Sequence, residues 1–445
     1  MQTTKSNLSV AFAEVLQSVA IALPPDAVQA AKQRLLDMLS VTFNGLDEPP
    51  SEVAFRSVTP CGGPCTVIGR NPTAAAADAA FVNAVTSHAS GQEDDGGGNH
   101  PLTYVIPAAL AVGELHRRSG KEVLSAIAVG YEAAQRMDIA AGAGLRSSGF
   151  RVVPTIGAFG AAAAASVLSR LDTQKFATAL NFAANMASGF QESLGDGTME
   201  CYIHAGLAAR AGVTAAALSR SGGEASPSTL DGPKGFFSTF GRGQYDSTAL
   251  TTESGALGIF RARSKPFPAC AIHQDTMLVI RSLRPAALSP SQIERVVVIR
   301  PATGMNSYNA PGVLADPPYR NPLQAQMSAK FTSIAALLGK PVTEFRYLRE
   351  SFADPDVEEV ARKTSLLVGE EGVDEITVEV TLKDGAKLIM RSADVADMSW
   401  DKDIDAKFDR LVSPRLHAAT QRVHDLVAGL ESVSEIGQLM QLLRT

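Results

Sequence analysis

Apolar residues recur every three or four positions over most of the chain. In "PPDAVQAAKQRLLDMLSVTFNG", Val28, Ala31, Leu35, Leu39 and Phe43 fall on one helical face. Pro25 and Asp26 suit the first turn of that helix, and Asn44-Gly45 suits its stop. Stretches around 74–88, 104–117, 121–141, 156–170, 173–189 and 204–221 read the same way, and each is rich in Ala. Small side chains let helices approach closely, so these segments predict a tightly packed helical body. Gly157 and Gly160 in "GAFGAAAAAS", one turn apart, predict a close-packed helix start. The opening "MQTTKSNLSVAFAEVLQSVAIAL" reads as an amphipathic helix rather than a secretory leader.

Near residue 265 the period changes. "IERVVVIRPA" is β-branched and predicts a strand. "DEITVEVTLKDGAKLIMRSAD" alternates from Ile376 to Leu382, turns at Asp384-Gly385 and returns, which predicts a hairpin. Helical patterns lie around 326–339 and 355–365, and helix returns in the last stretch. The expected fold class is mainly α with an α+β part. It has a large all-helical domain over 1–265, an inserted α+β lid domain over 266–394, and C-terminal helices over 395–445 that return to the helical domain.

Composition narrows the function. Apolar residues make up 45% and aromatics only 6%, so the core must be built mainly from Ala, Leu and Val. Net charge is -6 with no Lys/Arg block, which argues against nucleic acid and anionic membrane as partners. The longest uncharged stretches, such as "VVPTIGAFGAAAAASVLSR", are too weakly hydrophobic to span a bilayer. Four cysteines in 445 residues point to a reducing, cytoplasmic setting. The pair in "CGGPC", Cys61 and Cys65, could hold a metal or a disulfide. A surface loop is the favoured reading, because no second ligand pair with zinc spacing exists. No dinucleotide fingerprint, P-loop, H-E-x-x-H or G-x-S-x-G elbow occurs, and the cysteines do not match ferredoxin spacings. Acid–base work by side chains remains.

Titratable groups gather beside small residues in four places. "HASGQEDDGGGNHP" sets His88 and His100 around Glu93, Asp94 and Asp95. "SSGFRVVPTIGAFG" carries Arg151. "GDGTMECYIHAGLAARAG" carries Cys201 and His204. "RARSKPFPACAIHQD" carries Lys265, Cys270 and His273. Each has a plainer reading. A lone His at a helix start is commonly a satisfied cap, tandem acids are commonly solvated, and a free Cys is commonly a small buried filler. His116, His417 and His424 sit in charged helical patterns and read as surface residues. In the first stretch the neighbours favour function. Gly96-Gly97-Gly98 let the backbone approach a ligand closely, and Pro101 restricts His100. The acids then orient His100 or take part in proton transfer, while the glycines let a flexible loop close over a small ligand. The alternative is an exposed acidic turn.

These residues together resemble the MmgE/PrpD family, which includes 2-methylcitrate dehydratase, cis-aconitate decarboxylase and iminodisuccinate epimerase. The landmarks are His88 with the acids and His100-Pro101, "GF" followed by "TIGAFGAAAAA", "IHAGLAARAGVTAAAL", "KPFPAC" with a following His, and "AQMSAKFTSIAALL". The resemblance spans nearly the whole chain. It implies a large helical domain with an α+β lid, a homodimer, and chemistry with no organic cofactor and no metal. His100, His204 and Lys265 match family positions. Gly91 falls on a family Asp, Arg151 on a His and Cys201 on a Lys. Phe331 falls near a Tyr and Gln326 near a Lys.

The family reactions move a proton, or expel a carboxylate, at a carbon beside a carboxylate. The resemblance thus implies a small carboxylic acid as substrate. His100, His204, Asp94 and Glu93 are the catalytic candidates; Arg151, Lys265, Cys201 and His88 are the substrate-binding ones. An Arg fork can clamp a carboxylate, which a His cannot. The expected activity is that of a cofactor-independent lyase, first a dehydratase of the 2-methylcitrate type. Epimerisation and decarboxylation are the alternatives. Two further readings are a binding protein without chemistry and an enzyme for a larger, less polar biosynthetic intermediate, which Phe331 would suit.

Overall fold

Local chemistry sets the helix boundaries. Asn7 caps Leu8–Ile21, with its side chain accepting from Ser9 N and Val10 N. Pro25 opens Pro25–Gly45. Ser119 and Glu122 form a reciprocal capping box at the head of Gly120–Ser147, and Asp172 caps Thr173–Met186. The computed structural model describes residues 7–58, 62–252, 255–283, 288–304 and 306–444. Cys61 lies outside them. Its neighbour Cys65 is not on a surface loop: it is fully buried and donates its thiol to the Ala111 carbonyl at 3.2 Å.

The chain divides into two units, Met1–Phe190 with Tyr202–Ser264 and Asp403–Thr445, and Gln191–Cys201 with Lys265–Lys402. The second therefore takes in Gln191–Cys201, which hydrophobic patterning leaves within the helical part.

The first unit is helical, its core built from Ala-rich segments such as Ala161–Ala165, all without exposure. The helices Gly120–Ser147 and Val152–Leu168 cross in backbone contact. A Cβ at Gly160 would lie 3.0 Å from the Gly130 carbonyl oxygen, and one at Gly157 would lie 2.9 Å from the Tyr104 ring. These glycines sit in the middle of their helix, which begins at Val152, and not at its start. Two short strands, β1 (Asp94–Asp95) and β2 (Arg263–Ser264), pair antiparallel in this unit. Among the described residues no single helix is long and apolar enough to cross a membrane. Leu8–Ile21 and Pro25–Gly45 meet that test only together, bent by 94°.

The second unit carries β3 (Ile293–Arg300), β4 (Thr364–Val368), β5 (Thr377–Leu382) and β6 (Lys387–Arg391) in the order β4-β3-β5-β6. β5 and β6 form the expected hairpin, antiparallel to each other, and β5 also pairs antiparallel with β3. β4 runs parallel to β3, where patterning suggested helix as far as residue 365. The buried face of the sheet, with Val296, Val298, Val378 and Val380, joins a core that includes Phe331 and Ile334. The fold is thus a helical unit and an α+β unit.

Candidate active site

The acidic loop is folded inward. Glu93, Asp94 and Asp95 are all buried, which removes the exposed-turn reading. Asp94 anchors it: one oxygen accepts from Leu102 N at 3.1 Å and the other from the Tyr131 hydroxyl at 2.7 Å. Burial pushes the Asp94 carboxyl up to about 8, against the pull of Arg34 and Tyr131. Asp95 accepts from Gly97 N at 3.1 Å and Gly98 N at 2.7 Å. Those bonds need φ of +100° and +91°, which glycine adopts without strain. Gly97 and Gly98 thus close a turn on Asp95, where a flexible ligand-covering loop was expected. His100 has φ +49°, in the left-handed region instead of the extended one that a following proline favours.

Three histidines have their tautomers set by partners that can only accept or only donate. His100 Nδ1 lies 2.7 Å from the Asp94 carbonyl oxygen. A carbonyl only accepts, so Nδ1 carries the proton and Nε2 is the basic nitrogen. Glu93 Oε1 and Asp95 Oδ1 lie 3.5 and 3.6 Å from the same Nδ1, placed to stabilise an imidazolium. Arg151, at the N-cap of Val152–Leu168, points Nη2 at His88 Nε2 (2.9 Å) and Nη1 at His204 Nδ1 (3.3 Å). A guanidinium only donates, so both nitrogens accept. His88 then keeps its proton on Nδ1, 3.4 Å from Glu93 Oε1, and His204 keeps its proton on Nε2.

The charges agree with this. Burial lowers the His88 pKa to about 4, aided by Arg151 and His100 and opposed by Glu93. Burial, Arg151 and His88 lower that of His204 to about 3. Burial and the adjacent Arg151 thus favour the neutral form of His204 near neutral pH, with its proton on Nε2. Arg151 has two nitrogens engaged by imidazoles and is not an open fork.

The structure brings the buried His88, Glu93, Asp94, Arg151 and His204 together with the partly exposed His100 in one cluster of the first unit. Lys265 and Cys201, both buried, belong to the second unit. His273 is a satisfied core residue there: Nε2 donates to the Met327 carbonyl at 2.8 Å and Nδ1 accepts from Arg300 at 3.0 Å. Phe331 is fully buried in that unit's core, 5.2 Å edge-on to the Tyr319 ring, so it gives no support to an apolar substrate. Sequence patterning missed Tyr131 and the buried charges Arg34, Asp37 and Lys407. The available signal was a charged residue inside an apolar helical run, as in "RLLDMLS".

Two family models match the chain: the MmgE/PrpD N-terminal domain over residues 10–248 and the C-terminal domain over residues 267–431. The chain belongs to the MmgE/PrpD family. It is 25% identical to a cis-aconitate decarboxylase of Aspergillus terreus over 457 residues, covering 95% of this chain and 92% of that protein. It is likewise 25% identical to the human cis-aconitate decarboxylase over 471 residues, covering 98% and 95%. A cis-aconitate decarboxylase-like protein of Aspergillus oryzae is 32% identical over 251 residues, about half of each chain.

Proposed function

We propose that this chain is a cofactor-independent lyase of a small carboxylic acid, with His100 moving the proton at the carbon beside a carboxylate. The observation that carries the proposal is the tautomer of His100. Its Nε2 is basic while Glu93 and Asp95 flank the opposite nitrogen. That arrangement suits a base that becomes an imidazolium and returns the proton.

Among the family reactions we favour decarboxylation over dehydration of the 2-methylcitrate type. The long matches are to proteins named cis-aconitate decarboxylase. In that reaction carbon dioxide leaves, its bonding electrons stay on the carbon, and His100, having taken up a proton from solvent at Nε2, delivers it there. Arg151 is assigned the positive charge that steadies the substrate carboxylates and the developing carbanion. Because Arg151 is held by His88 and His204, it serves as a fixed charge. Glu93 and Asp94 are assigned to orienting the base, and His88 to lining the site.

Proton NMR in deuterated water, with cis-aconitate and a panel of citrate-like acids, tests this. Carbon dioxide release with deuterium uptake at the vacated carbon is the expected result. Water loss gives an alkene without carbon dioxide, and exchange alone indicates an epimerase. His100→Asn should lower turnover by roughly two to four orders of magnitude. Asn tolerates left-handed backbone, so the melting temperature should barely move. No exchange or turnover with any acid sinks the lyase proposal. Full activity in His100→Asn sinks the role of His100.

A further inference from the structure

Lys407 sits on the helix Ile404–Leu416, more than 300 positions along the chain from the acidic loop, and is buried. Its ammonium bridges a carboxylate and a backbone carbonyl. Nζ lies 2.6 Å from Asp37 Oδ1, a fully buried carboxylate on Pro25–Gly45, and donates to the Gln92 carbonyl at 2.7 Å. That carbonyl belongs to the peptide joining Gln92 to Glu93. Holding that peptide plane holds the Glu93 Cα and narrows the directions in which its side chain can leave the backbone. The Glu93 carboxylate in turn lies 3.4 Å from His88 Nδ1 and 3.5 Å from His100 Nδ1.

The other side of the loop is held in a parallel way. Arg34, one turn before Asp37 on the same helix, donates to Ser264 Oγ at 2.8 Å, and Ser264 pairs with Asp94 across β1 and β2. A buried ion pair is a weak source of stability, because desolvating both ions offsets most of their attraction. The pair here is aimed at the carbonyl of the peptide that leads into Glu93.

We propose that Lys407, held by Asp37, is a positioning residue that sets Glu93 and, through it, the Nδ1 side of His100. This rests on the lyase proposal only for the identity of the reaction. Asp37→Leu/Lys407→Met removes both charges at similar volume, and a single variant would leave an unpaired buried charge. The double variant should melt within a few degrees of the parent. Its kcat should fall roughly 10- to 100-fold, the usual effect of small misplacements, with KM changed less than about threefold. The ring-nitrogen shifts of His100, followed in nitrogen-15 histidine-labelled protein and assigned with His100→Asn, should move as well. A loss of stability alone would leave those shifts in place.

A folded double variant with unchanged His100 shifts overturns the proposal, whatever happens to kcat. If it does not fold, Asp37→Asn/Lys407→Gln, which keeps polar groups at both positions, takes its place under the same criteria. Failure of both to fold makes the pair structural and also overturns it. If the parent turns over no acid in the panel, the lyase proposal fails separately, and the His100 shifts alone decide the role of Lys407.

Discussion

At the scale of single residues, the cluster makes stability depend on pH in two opposite ways. The Asp94 carboxyl is raised to about 8 in the folded protein, from an unfolded value near 4. Between those values the native state holds a proton that the unfolded state has released. Asp94 therefore favours the fold at low pH, and its contribution falls as pH rises toward 8. His88 and His204 are lowered to about 4 and 3 from an unfolded value near 6.5, and His273 is also lowered well below it. Here the unfolded state holds the extra protons. The contribution of the histidines is complete above pH 6.5 and is lost as pH falls. Among these four groups, three histidines outweigh one carboxyl below pH 6.5, and the carboxyl alone acts above it. Stability should peak near pH 6.5, with each proton worth about 1.4 kcal/mol per pH unit on either limb. Urea unfolding from pH 4.5 to 8.5 measures this. In Asp94→Asn the alkaline limb should flatten while the acid limb stays, because Asn can still accept from Leu102 N and donate to Tyr131. A variant that keeps the alkaline fall would show that the proton is not on Asp94.

At the scale of elements, one glycine holds the approach to His204. Gly189 has φ +100°, and a Cβ there would lie 2.3 Å from Pro154 Cγ and 3.3 Å from His204 Nε2. Its carbonyl accepts from Arg151 N at 3.1 Å, so the segment after Thr173–Met186 helps fix the head of Val152–Leu168. Gly189→Ala should cost both the left-handed penalty and a clash, roughly 2–4 kcal/mol in urea unfolding. Gly149→Ala has φ +84° but open space, and should cost only about 1–2 kcal/mol. Equal losses would remove the steric part of the argument. The elements that could be read from sequence carry their signals locally. Pro25, Asn44 and Gly45 bound a periodic helix, and Asp384-Gly385 joins β5 to β6. β4 was misread because its partner β3 is about 70 residues away and runs parallel, so no turn marks the pairing. The site divides in the same way. His88, Glu93, His100, Arg151 and His204 stand beside glycines, a proline or helix heads, and could be singled out. Arg34, Asp37 and Lys407 carry only the weak signal of a charge inside an apolar helical run, which reads as surface until a partner remote in sequence is known.

At the scale of the whole molecule, the last segment is core and not tail. Phe408, Val412, Val423, Val427, Leu430, Ile436, Leu439, Met440 and Leu443 have no exposure and pack in the core of the first unit. Backbone bonds tie them to distant parts of that unit: Gly69 N donates to the Leu443 carbonyl, Gly120 N to that of Val433, and Ile436 N to that of Arg118. Each such apolar side chain contributes roughly 1.5–3 kcal/mol by burial. Together they exceed the about 5–15 kcal/mol by which a typical domain is stable. A chain ending at Lys402 should therefore lack a cooperative urea transition and the near-ultraviolet circular dichroism of packed aromatic rings. The comparison with Lys407 sharpens the result. If Asp37→Leu/Lys407→Met folds normally while the truncated chain does not, the segment stabilises the first unit through its apolar face and acts on Glu93 through its one buried ammonium. A truncated chain that melts cooperatively near the full-length temperature would refute the first of these roles, since the remaining helices would then have to close the core without it.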